Sequence, residues 1–380
     1  MVERMSYFGV TVEKIDTAKH HPNADRLDIC TLIGMSFQFV TGRDQYKPGE
    51  VVLYFPVDSI IPLELQGKMG VTGMLSGKNK DRVKTVRLRG EISQGLVGPQ
   101  SLAEACASVS DDVCMTKSQW GVEIAEWLGV TKYEPAPIDT KAGNLLPLPC
   151  GLSVYDIEGA ERNADAVMRL MFEQVVVTEK IEGQNFSVTY DPVEDRVYVN
   201  QRRFTIEEIE AGEHRLWKLA RNSGLIPTSD PLSGLMDISF LGFLAGIYTG
   251  RITVYGEAYG PSIQGNIYKV PTTQVRLFDI QIDDEFLDFP TFIGLVHMHW
   301  RIDYKFQPSN SITVPILFTG LLAEWLEGQT IAQASSGPSV LNTNVLREGV
   351  VIRPFIEGRH PEIGRLIIKQ RDPVYLANEK

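Results

Sequence analysis

The sequence has few cysteines, and they are not arranged as a metal-binding or redox pair. The 380 residues include four cysteines and no C-x-x-C pair. This spacing argues against a zinc ribbon or a redox dithiol, and it suits a reducing compartment. A chain of this length buries a full hydrophobic core without disulfide bonds. The cysteines are Cys30, Cys106, Cys114 and Cys150.

Long apolar segments are also missing. No uncharged apolar run reaches the roughly 18–20 residues that a membrane helix needs, and glycines interrupt the longest candidate, residues 238–250. The first residues, Met-Val-Glu-Arg, lack the basic start and the apolar stretch of a signal peptide. We therefore expect a soluble protein, cytoplasmic or otherwise intracellular, without a membrane partner. Nothing in the sequence indicates an obligate protein partner.

One common nucleotide-binding motif is absent. The P-loop pattern G-x-x-x-x-G-K-[ST] does not occur, since Lys68 is followed by Met69 and Lys78 by Asn79. P-loop NTPases are therefore excluded.

The chain is acidic overall, but its charge is unevenly distributed. With 37 lysines and arginines against 48 aspartates and glutamates, the formal net charge is -11. This net acidity excludes a protein whose whole surface binds polyanions nonspecifically, but it does not exclude a local binding surface. Residues 78–89 hold six cations and one acid, which is typical of a phosphate-binding surface but also of a hairpin edge kept basic against aggregation. The six cations, predicted to contact nucleic acid, are Lys78, Lys80, Arg82, Lys84, Arg87 and Arg89.

The pattern of the chain predicts three parts. Residues 1–100 contain short, closely spaced strands, which favour a small barrel or sandwich. Residues 101–160 contain a helical pattern followed by a proline-rich linker. Residues 161–380 have an α+β pattern, in which we expect residues 316–333 to be mostly helical. His297 and His299 are expected on a surface strand rather than at a metal site.

A lysine at the end of an apolar strand is the first chemical candidate. Residues 178–185, Thr-Glu-Lys-Ile-Glu-Gly-Gln-Asn, follow a run of three valines and contain Lys180. A lysine amine attacks phosphorus well only when its surroundings favour the unprotonated form. Gly183 would let the backbone approach a nucleotide closely. The pattern K-x-x-G alone is a weak signal, because an exposed strand-end lysine is far more common.

Later segments repeat this placement of functional side chains beside apolar strands. Glu257 ends one strand, Phe278 lies in another, Glu348 precedes a third, and Lys369 and Arg371 end a fourth. Solvation of strand ends would explain each of them singly. In this fixed order, and together with residues 180–183, they are hard to produce by chance.

The ordered set resembles the motifs of covalent nucleotidyltransferases, the superfamily of DNA ligases, RNA ligases and mRNA capping enzymes. In that family K-x-D/E/H-G is motif I, here residues 180–183, and motif Ia matches residues 201–204 with either Arg202 or Arg203 as its arginine. Motifs III, IIIa and IV match residues 256–257, 278–279 and 348–351. Motif V, usually K-x-K, has Arg371 as its second cation. The resemblance covers about residues 165–375.

Two further segments look like RNA ligases in particular. Residues 179–187, EKIEGQNFS, resemble the RNA ligase form E-K-I-x-G-x-N-F-S. Residues 21–27, HPNADRL, are similar to the opening of tRNA-binding-type OB domains, and residues 82–96 and 129–135 look like RNA ligase family 5. This resemblance implies an α+β fold with an amino-terminal OB-type β-barrel at 1–100. A helical segment and linker at 101–160 and an ATP-grasp-like nucleotidyltransferase domain of antiparallel sheets and helices at 161–380 would follow.

The resemblance also implies roles for the site residues. Lys180 would be the nucleophile that forms lysyl-AMP, with ATP as the nucleotide and Mg²⁺ or Mn²⁺ as the metal. Lys369 and Arg371 would complete the catalytic set by stabilising charge on phosphate oxygens. Glu257 binds either ribose or metal in this family, and the sequence does not choose. The implied nucleotide-binding residues are Glu179, Lys180, Gly183, Asn185, Arg202, Glu257, Phe278 and Lys369, and the implied metal ligands are Glu182, Glu257 and Glu348.

The implied function is an ATP-dependent RNA ligase that seals 3′-OH/5′-phosphate nicks in duplexes and needs RNA on the 3′-OH side, in RNA repair. Deleting residues 1–100 should then leave self-adenylylation largely intact but impair sealing. Two alternatives stay open, a GTP-using capping-type nucleotidyltransferase and a non-catalytic structured-RNA-binding protein. A capping enzyme usually carries its OB module after the transferase domain, and the retained nucleophile and carboxylates speak against a lapsed enzyme.

Overall fold

The computed structural model describes most of the chain. The described residues are 8–99, 101–103, 117–133, 145–149, 151–208, 214–227, 239–300 and 312–378. Within these ranges, no helix has both the length and the apolar character needed to cross a membrane. Residues 134–144 of the expected proline-rich linker lie outside the described residues, as do Cys106, Cys114 and Cys150.

Short strands dominate the amino-terminal part, as the spacing of turns predicts. Its described elements are β1 (Thr11–His20), β2 (Leu27–Leu32), β3 (Gln38–Gly42), β4 (Val51–Phe55), β5 (Ser59–Ile60), α1 (Leu63–Met69), β6 (Val86–Leu88), β7 (Glu91–Ser93), β8 (Leu96–Gly98), α2 (Lys117–Trp127) and β9 (Thr131–Lys132). Five of the strands form an antiparallel sheet of order β3-β2-β1-β4-β8. Alternate residues of β2 face the core, where Cys30 and Leu32 are buried.

The remaining described elements mix strands and helices. They are β10 (Leu145–Pro147), β11 (Glu158–Gly159), α3 (Ala164–Leu170), β12 (Gln174–Lys180), β13 (Gln184–Asp191), β14 (Arg196–Gln201), β15 (Phe204–Ile206), α4 (Arg215–Asn222), α5 (Phe240–Ala245), β16 (Ile252–Tyr259), β17 (Gln274–Ile282), β18 (Glu285–Phe286), α6 (Phe289–Trp300), β19 (Ile316–Leu321), α7 (Leu322–Leu326), α8 (Ile331–Ala334), β20 (Gly349–Pro354), β21 (Arg359–His360), β22 (Gly364–Arg365), β23 (Ile368–Arg371) and α9 (Pro373–Asn378). Two main sheets result, one of seven strands with order β10-β15-β14-β13-β16-β17-β18 and one of five strands with order β11-β23-β20-β12-β19.

The chain passes from one main sheet to the other at residues 181–183. Strand β12 pairs with β19 and β20 in the five-stranded sheet, whereas β13 pairs with β14 and β16 in the seven-stranded sheet. Lys180, the last residue of β12, therefore lies at the junction. Side chains from both sheets can meet there.

Helices α4, α5 and α6 cover one face of the seven-stranded sheet. Phe186 and Val188 of β13 point into this core and are fully buried with Leu216, Phe240 and Phe292 of the helices. Successive side chains of a strand point to opposite faces. Asn185 and its partner Glu257 on β16 therefore face the junction.

Two expectations about single elements are wrong. Residues 316–321 form strand β19 rather than helix, because they pair with the otherwise open edge of β12, from Gln174 opposite Leu321 onward. His297 and His299 lie in helix α6 rather than on a strand. Both segments are nearly continuous apolar runs, whose period alone does not separate helix from strand.

Candidate active site

The predicted nucleophile lies against a carboxylate at the junction of the two sheets. Lys180 pairs with Gly349, the first residue of β20. Its Nζ donates a hydrogen bond to Glu348 Oε2 at 2.7 Å. The Lys180 side chain is 24% exposed, so a ligand in the cleft between the two sheets can reach the amine.

Gly183 lets β16 approach the segment that follows the nucleophile. A Cβ added at this position would clash with the carbonyl oxygen of Ala258 and lie 2.7 Å from Glu257 Cγ. The close approach places the Glu257 carboxylate beside Lys180 and Glu348. Burial raises the pKa of Glu257 to about 8, with Lys180 opposing the rise and Glu348 adding to it.

The three predicted metal ligands do not form a preformed cage. Among the described residues, no three His, Cys, Asp or Glu side chains converge as a metal site. Glu182 accepts a hydrogen bond from the Tyr375 hydroxyl, and its backbone N–H donates to Tyr268 Oη at 2.7 Å. Glu257 and Glu348 still offer the carboxylate oxygens that Mg²⁺ or Mn²⁺ prefers, with phosphate and water as further ligands. The metal assignment stays a prediction.

A carboxylate that the sequence analysis missed lies among the predicted phosphate-binding cations. Asp156 Oδ2 accepts from Arg202 Nη2 at 2.6 Å and from Lys132 Nζ at 3.1 Å, and its Oδ1 accepts from Lys369 Nζ at 3.2 Å. Burial alone would raise the pKa of Asp156, but Lys369, Lys132 and Arg202 outweigh it and hold that pKa well below its usual range. Arg202 and Arg203 both line the cleft, so the choice between them as the motif Ia arginine stays open.

Lys369 is enclosed by this cluster. Burial lowers the pKa of its amine, and the neighbouring Lys132, Lys180 and Arg371 add to that effect while Asp156 opposes it. The Lys369 side chain keeps 28% of its surface exposed, and the Asp156 carboxylate holds its amine in place before a phosphate arrives. Such prior alignment is the condition for electrostatic stabilisation of a transition state.

The last predicted cation, Arg371, contacts the amino-terminal part of the chain. Its Nη2 lies 3.7 Å from Asp58 Oδ2. The other oxygen of Asp58 accepts from Arg82 Nη2 at 2.6 Å and Nε at 3.0 Å. The Arg82 guanidinium lies 3.5 Å from the centroid of the Tyr133 ring. Arg82 is therefore held by Asp58 and Tyr133, so its predicted contact with nucleic acid would require it to leave Asp58.

Two cavities meet at Lys180, the predicted nucleophile. One of about 360 Å³ is lined by Glu179, Glu257 and Phe278, and one of about 310 Å³ faces the amino-terminal part and is lined by Asp58 and Arg371. Both are lined by Lys180, Arg202 and Lys369. A group that reached Lys180 from either side would thus meet the same cations.

Aromatic rings form one wall of the larger cavity. The Phe278 ring lies 5.0 Å from the Tyr155 ring, which also packs at 4.8 Å against Tyr255 and at 5.8 Å against Phe286. These are ordinary separations for favourable aromatic pairs. The packing fixes Phe278 in place as a platform on which a planar base could stack.

Comparisons with known proteins assign both parts of the chain. An OB-fold domain model matches residues 9–100, and the model of the RNA ligase family matches residues 173–370, more than half of the chain. The chain belongs to the RNA ligase family. No curated protein matches this RNA ligase. The matches confirm the α+β fold with an OB-type amino-terminal domain, while the exact domain bounds stay a prediction.

Solved structures of an RNA ligase from Naegleria gruberi are similar over nearly the whole chain. An apo mutant has 24% identity and a TM-score of 0.75, with 98% of each chain covered. A mutant with AMP and Mn has 25% identity and a TM-score of 0.74, and the form with PPi has 25% identity and a TM-score of 0.73. For both of these, 97% of this chain and 98% of that chain are covered.

In the present chain, Glu179 is held by a loop that the sequence analysis did not single out. Glu179 is buried, its Oε1 accepts from the Ser339 hydroxyl at 2.5 Å, and its Oε2 accepts from the Val340 N–H at 2.7 Å. Burial raises the pKa of Glu179, and the two hydrogen bonds oppose the rise. Each oxygen has a second lone pair that can accept another hydrogen bond, and the contact of Glu179 with a base stays a prediction.

The basic segment 78–89 divides into an inward and an outward part. Lys84 is half-buried and Arg82 pairs with Asp58, whereas the other four cations are exposed. The hairpin β6–β7 is held by the turn that resembles tRNA-binding OB domains. His21 Nδ1 accepts from the Asn23 N–H at 3.0 Å, so its Nε2 carries the proton and donates to the Leu88 carbonyl at 3.0 Å. The four exposed cations are Lys78, Lys80, Arg87 and Arg89.

Proposed function

We propose that this RNA ligase uses ATP to seal 3′-OH/5′-phosphate nicks, with RNA required on the 3′-OH side, through a lysyl-AMP formed at Lys180. The observation that carries the proposal is the position of the Lys180 amine, at the meeting point of two cavities and 2.7 Å from Glu348. RNA repair is the biological setting that the family resemblance implies.

In the first step the Lys180 nitrogen attacks the α-phosphorus. A nitrogen–phosphorus bond forms, and the bond to the pyrophosphate oxygen breaks. Glu348 orients the amine and is placed to accept its proton, since the two atoms are 2.7 Å apart. The negative charge that develops on the phosphate oxygens is stabilised by the cations Lys369, Arg202 and Arg371. A bound Mg²⁺ or Mn²⁺, held through Glu182, Glu257 or Glu348, would add positive charge to the same oxygens.

ATP is favoured as the nucleotide. The aromatic wall offers Phe278 to a purine, and Glu179 offers carboxylate oxygens to an amino group on the base. An adenine presents such a donor at its exocyclic amine, whereas a guanine presents a carbonyl oxygen at that ring position. The similar structures of the Naegleria gruberi enzyme, with ATP and Mn or with AMP and Mn, support the same choice.

The second and third steps would use the cavity that faces the OB-type domain. AMP passes from Lys180 to a 5′-phosphate end, and a 3′-OH then attacks that end and releases AMP. The exposed cations of residues 78–89 would bind backbone phosphates, which gives salt-dependent affinity rather than sequence readout. Preference for RNA on the 3′-OH side would come from A-form shape and 2′-OH contacts.

A labelling experiment tests the covalent step. The protein is incubated with α-labelled ATP or GTP and Mn²⁺, denatured, and assayed for retained label. We expect label from ATP, none from Lys180→Ala, and normal label from the control Lys218→Ala, an exposed lysine on α4. Label from GTP alone would favour a capping-type enzyme, and no label with either nucleotide would favour a non-catalytic RNA-binding protein.

A panel of nicked duplexes tests the polynucleotide specificity. RNA or DNA is placed separately on the 3′-OH and 5′-phosphate sides, and sealed product is measured. We expect efficient sealing whenever RNA is on the 3′-OH side and little sealing when DNA is there. Equal sealing of all four duplexes would contradict the proposed specificity and leave the adenylylation step standing.

A further inference from the structure

Three cations that face the cleft share one carboxylate of the chain itself. Arg202, Lys132 and Lys369 reach Asp156 at 2.6, 3.1 and 3.2 Å. They come from separate parts of the chain, β9 for Lys132, the residue after β14 for Arg202 and β23 for Lys369. The Asp156 side chain is only 15% exposed, so its carboxylate lies at the centre of the cations rather than at their edge.

The arrangement has the chemistry of a phosphate site filled by a carboxylate. Guanidinium and ammonium groups that converge on the oxygens of one anion are the donors that proteins use to bind phosphate. Arg202 and Lys369 line both cavities beside Lys180. A phosphate that approached Lys180 would therefore compete with Asp156 for the same donors.

The Asp156 side chain can rotate without breaking a sheet. Residues 152–157 lie outside any helix or strand. The neighbouring Tyr155 is anchored by its hydroxyl, which donates to Asp279 Oδ2 at 2.8 Å, and by the surrounding rings. A side-chain rotation at Asp156 would break the hydrogen bond that its Oδ1 accepts from the Ile157 N–H at 3.0 Å and would free the cations, while the aromatic wall stays in place.

We propose that Asp156 is an internal anion that fills a phosphate subsite in the free enzyme, and that pyrophosphate or the phosphates of the nucleotide displace it. The inference rests on the proposed function, because it takes the cleft to bind nucleotide phosphates. Asp156 is a positioning residue: it keeps three mutually repelling cations aligned until a phosphate replaces it. The contact with Asp156 lowers the apparent affinity of the enzyme for phosphate, because phosphate binds only to enzyme molecules in which Asp156 has released the cations.

Calorimetric titration of inorganic pyrophosphate and of adenosine tests the proposal. The proteins are the wild type, Asp156→Asn, Asp156→Glu and the control Glu158→Gln, which removes a nearby carboxylate that pairs with Arg162 at 3.5 Å instead. We expect Asp156→Asn to bind pyrophosphate about tenfold more tightly than the wild type. Asp156→Glu and Glu158→Gln should stay near the wild-type value, and adenosine affinity should be the same for all four, since adenosine carries no phosphate.

The outcomes separate this inference from the proposed function. If the wild type binds pyrophosphate and Asp156→Asn binds it equally or more weakly, Asp156 is not a competing anion, and the ligase proposal is unaffected. If no protein binds pyrophosphate or adenosine, the proposed function fails as well. A purely structural role for Asp156 would lower thermal stability without tightening pyrophosphate binding.

A second measurement needs no variant and covers the case in which Asp156→Asn does not fold. In a crystal structure of the wild type with pyrophosphate, we expect a phosphate oxygen beside Lys369 and the Asp156 carboxylate turned away from Arg202. Asp156 still bound to all three cations, with pyrophosphate bound elsewhere in the cleft, would overturn the proposal.

Discussion

Asp279 shows how one buried charge supports the aromatic wall of the larger cavity. Its carboxylate accepts from Tyr155 at 2.8 Å, Arg353 at 3.0 Å and Arg365 at 2.6 Å. Burial alone would raise the pKa of Asp279, but Arg353 and Arg365 outweigh it and lower that pKa. A carboxyl with a lowered pKa stabilises the folded state above its unfolded pKa, near 3.8, and this stabilisation is lost as the pH falls further.

We expect Asp279→Asn to lower the free energy of unfolding by about 3 kcal/mol at pH 7, because the buried guanidiniums of Arg353 and Arg365 lose one of their two carboxylate partners and keep only Glu357. The loss should shrink toward pH 3, because the carboxyl of the unfolded wild type, with a pKa near 3.8, takes up a proton there and the stabilisation by the folded carboxylate declines. Urea denaturation at both pH values measures the difference. The control Asp284→Asn, whose side chain is 85% exposed, should change stability by less than about 0.5 kcal/mol. A loss that is equal at both pH values would contradict the charge argument.

At the scale of elements, the passage from β12 to β13 positions the predicted nucleophile, Lys180, and it depends on the absence of a side chain at Gly183. We expect Gly183→Ala to reduce lysyl-AMP formation about a hundredfold, because an added methyl group must push β16 and Glu257 away from Lys180. Single-turnover labelling with ATP measures the rate. The control is Gly67→Ala in α1, where an added Cβ meets nothing within 4 Å. It should adenylylate normally, and a normal rate for Gly183→Ala would show that the close approach is not needed.

The elements that carry the site were predictable because each has a local pattern. The valine strand before Lys180 is strongly apolar, and Glu257, Phe278 and Lys369 follow or lie in similar strands. Strand β19 was not predictable, because only its pairing with β12 makes it extended. Asp156 was missed for a related reason. It lies in a segment without periodicity, and cations at positions 132, 202 and 369, far away in the sequence, give it its role.

At the scale of the whole molecule, the OB-type domain carries a potential RNA surface and also contacts Arg371, one of the predicted catalytic cations. A domain that only gripped RNA could be deleted without loss of self-adenylylation. Asp58 of this domain, however, lies 3.7 Å from Arg371 and is itself fixed by Arg82. The two domains are thus in contact through Arg371, the residue that we propose stabilises charge on the phosphate oxygens of the nucleotide.

We therefore expect Asp58→Ala to slow both lysyl-AMP formation and nick sealing, each by about tenfold, because Arg371 loses the partner that orients it. Separate single-turnover assays of the two steps, the second starting from pre-adenylylated nick, measure the effect. Asp25→Ala, at an exposed turn of the same domain, serves as the control and should change neither step. If Asp58→Ala impaired sealing alone, the OB-type domain would act only on the nucleic acid, and its contact with Arg371 would have no part in nucleotide chemistry.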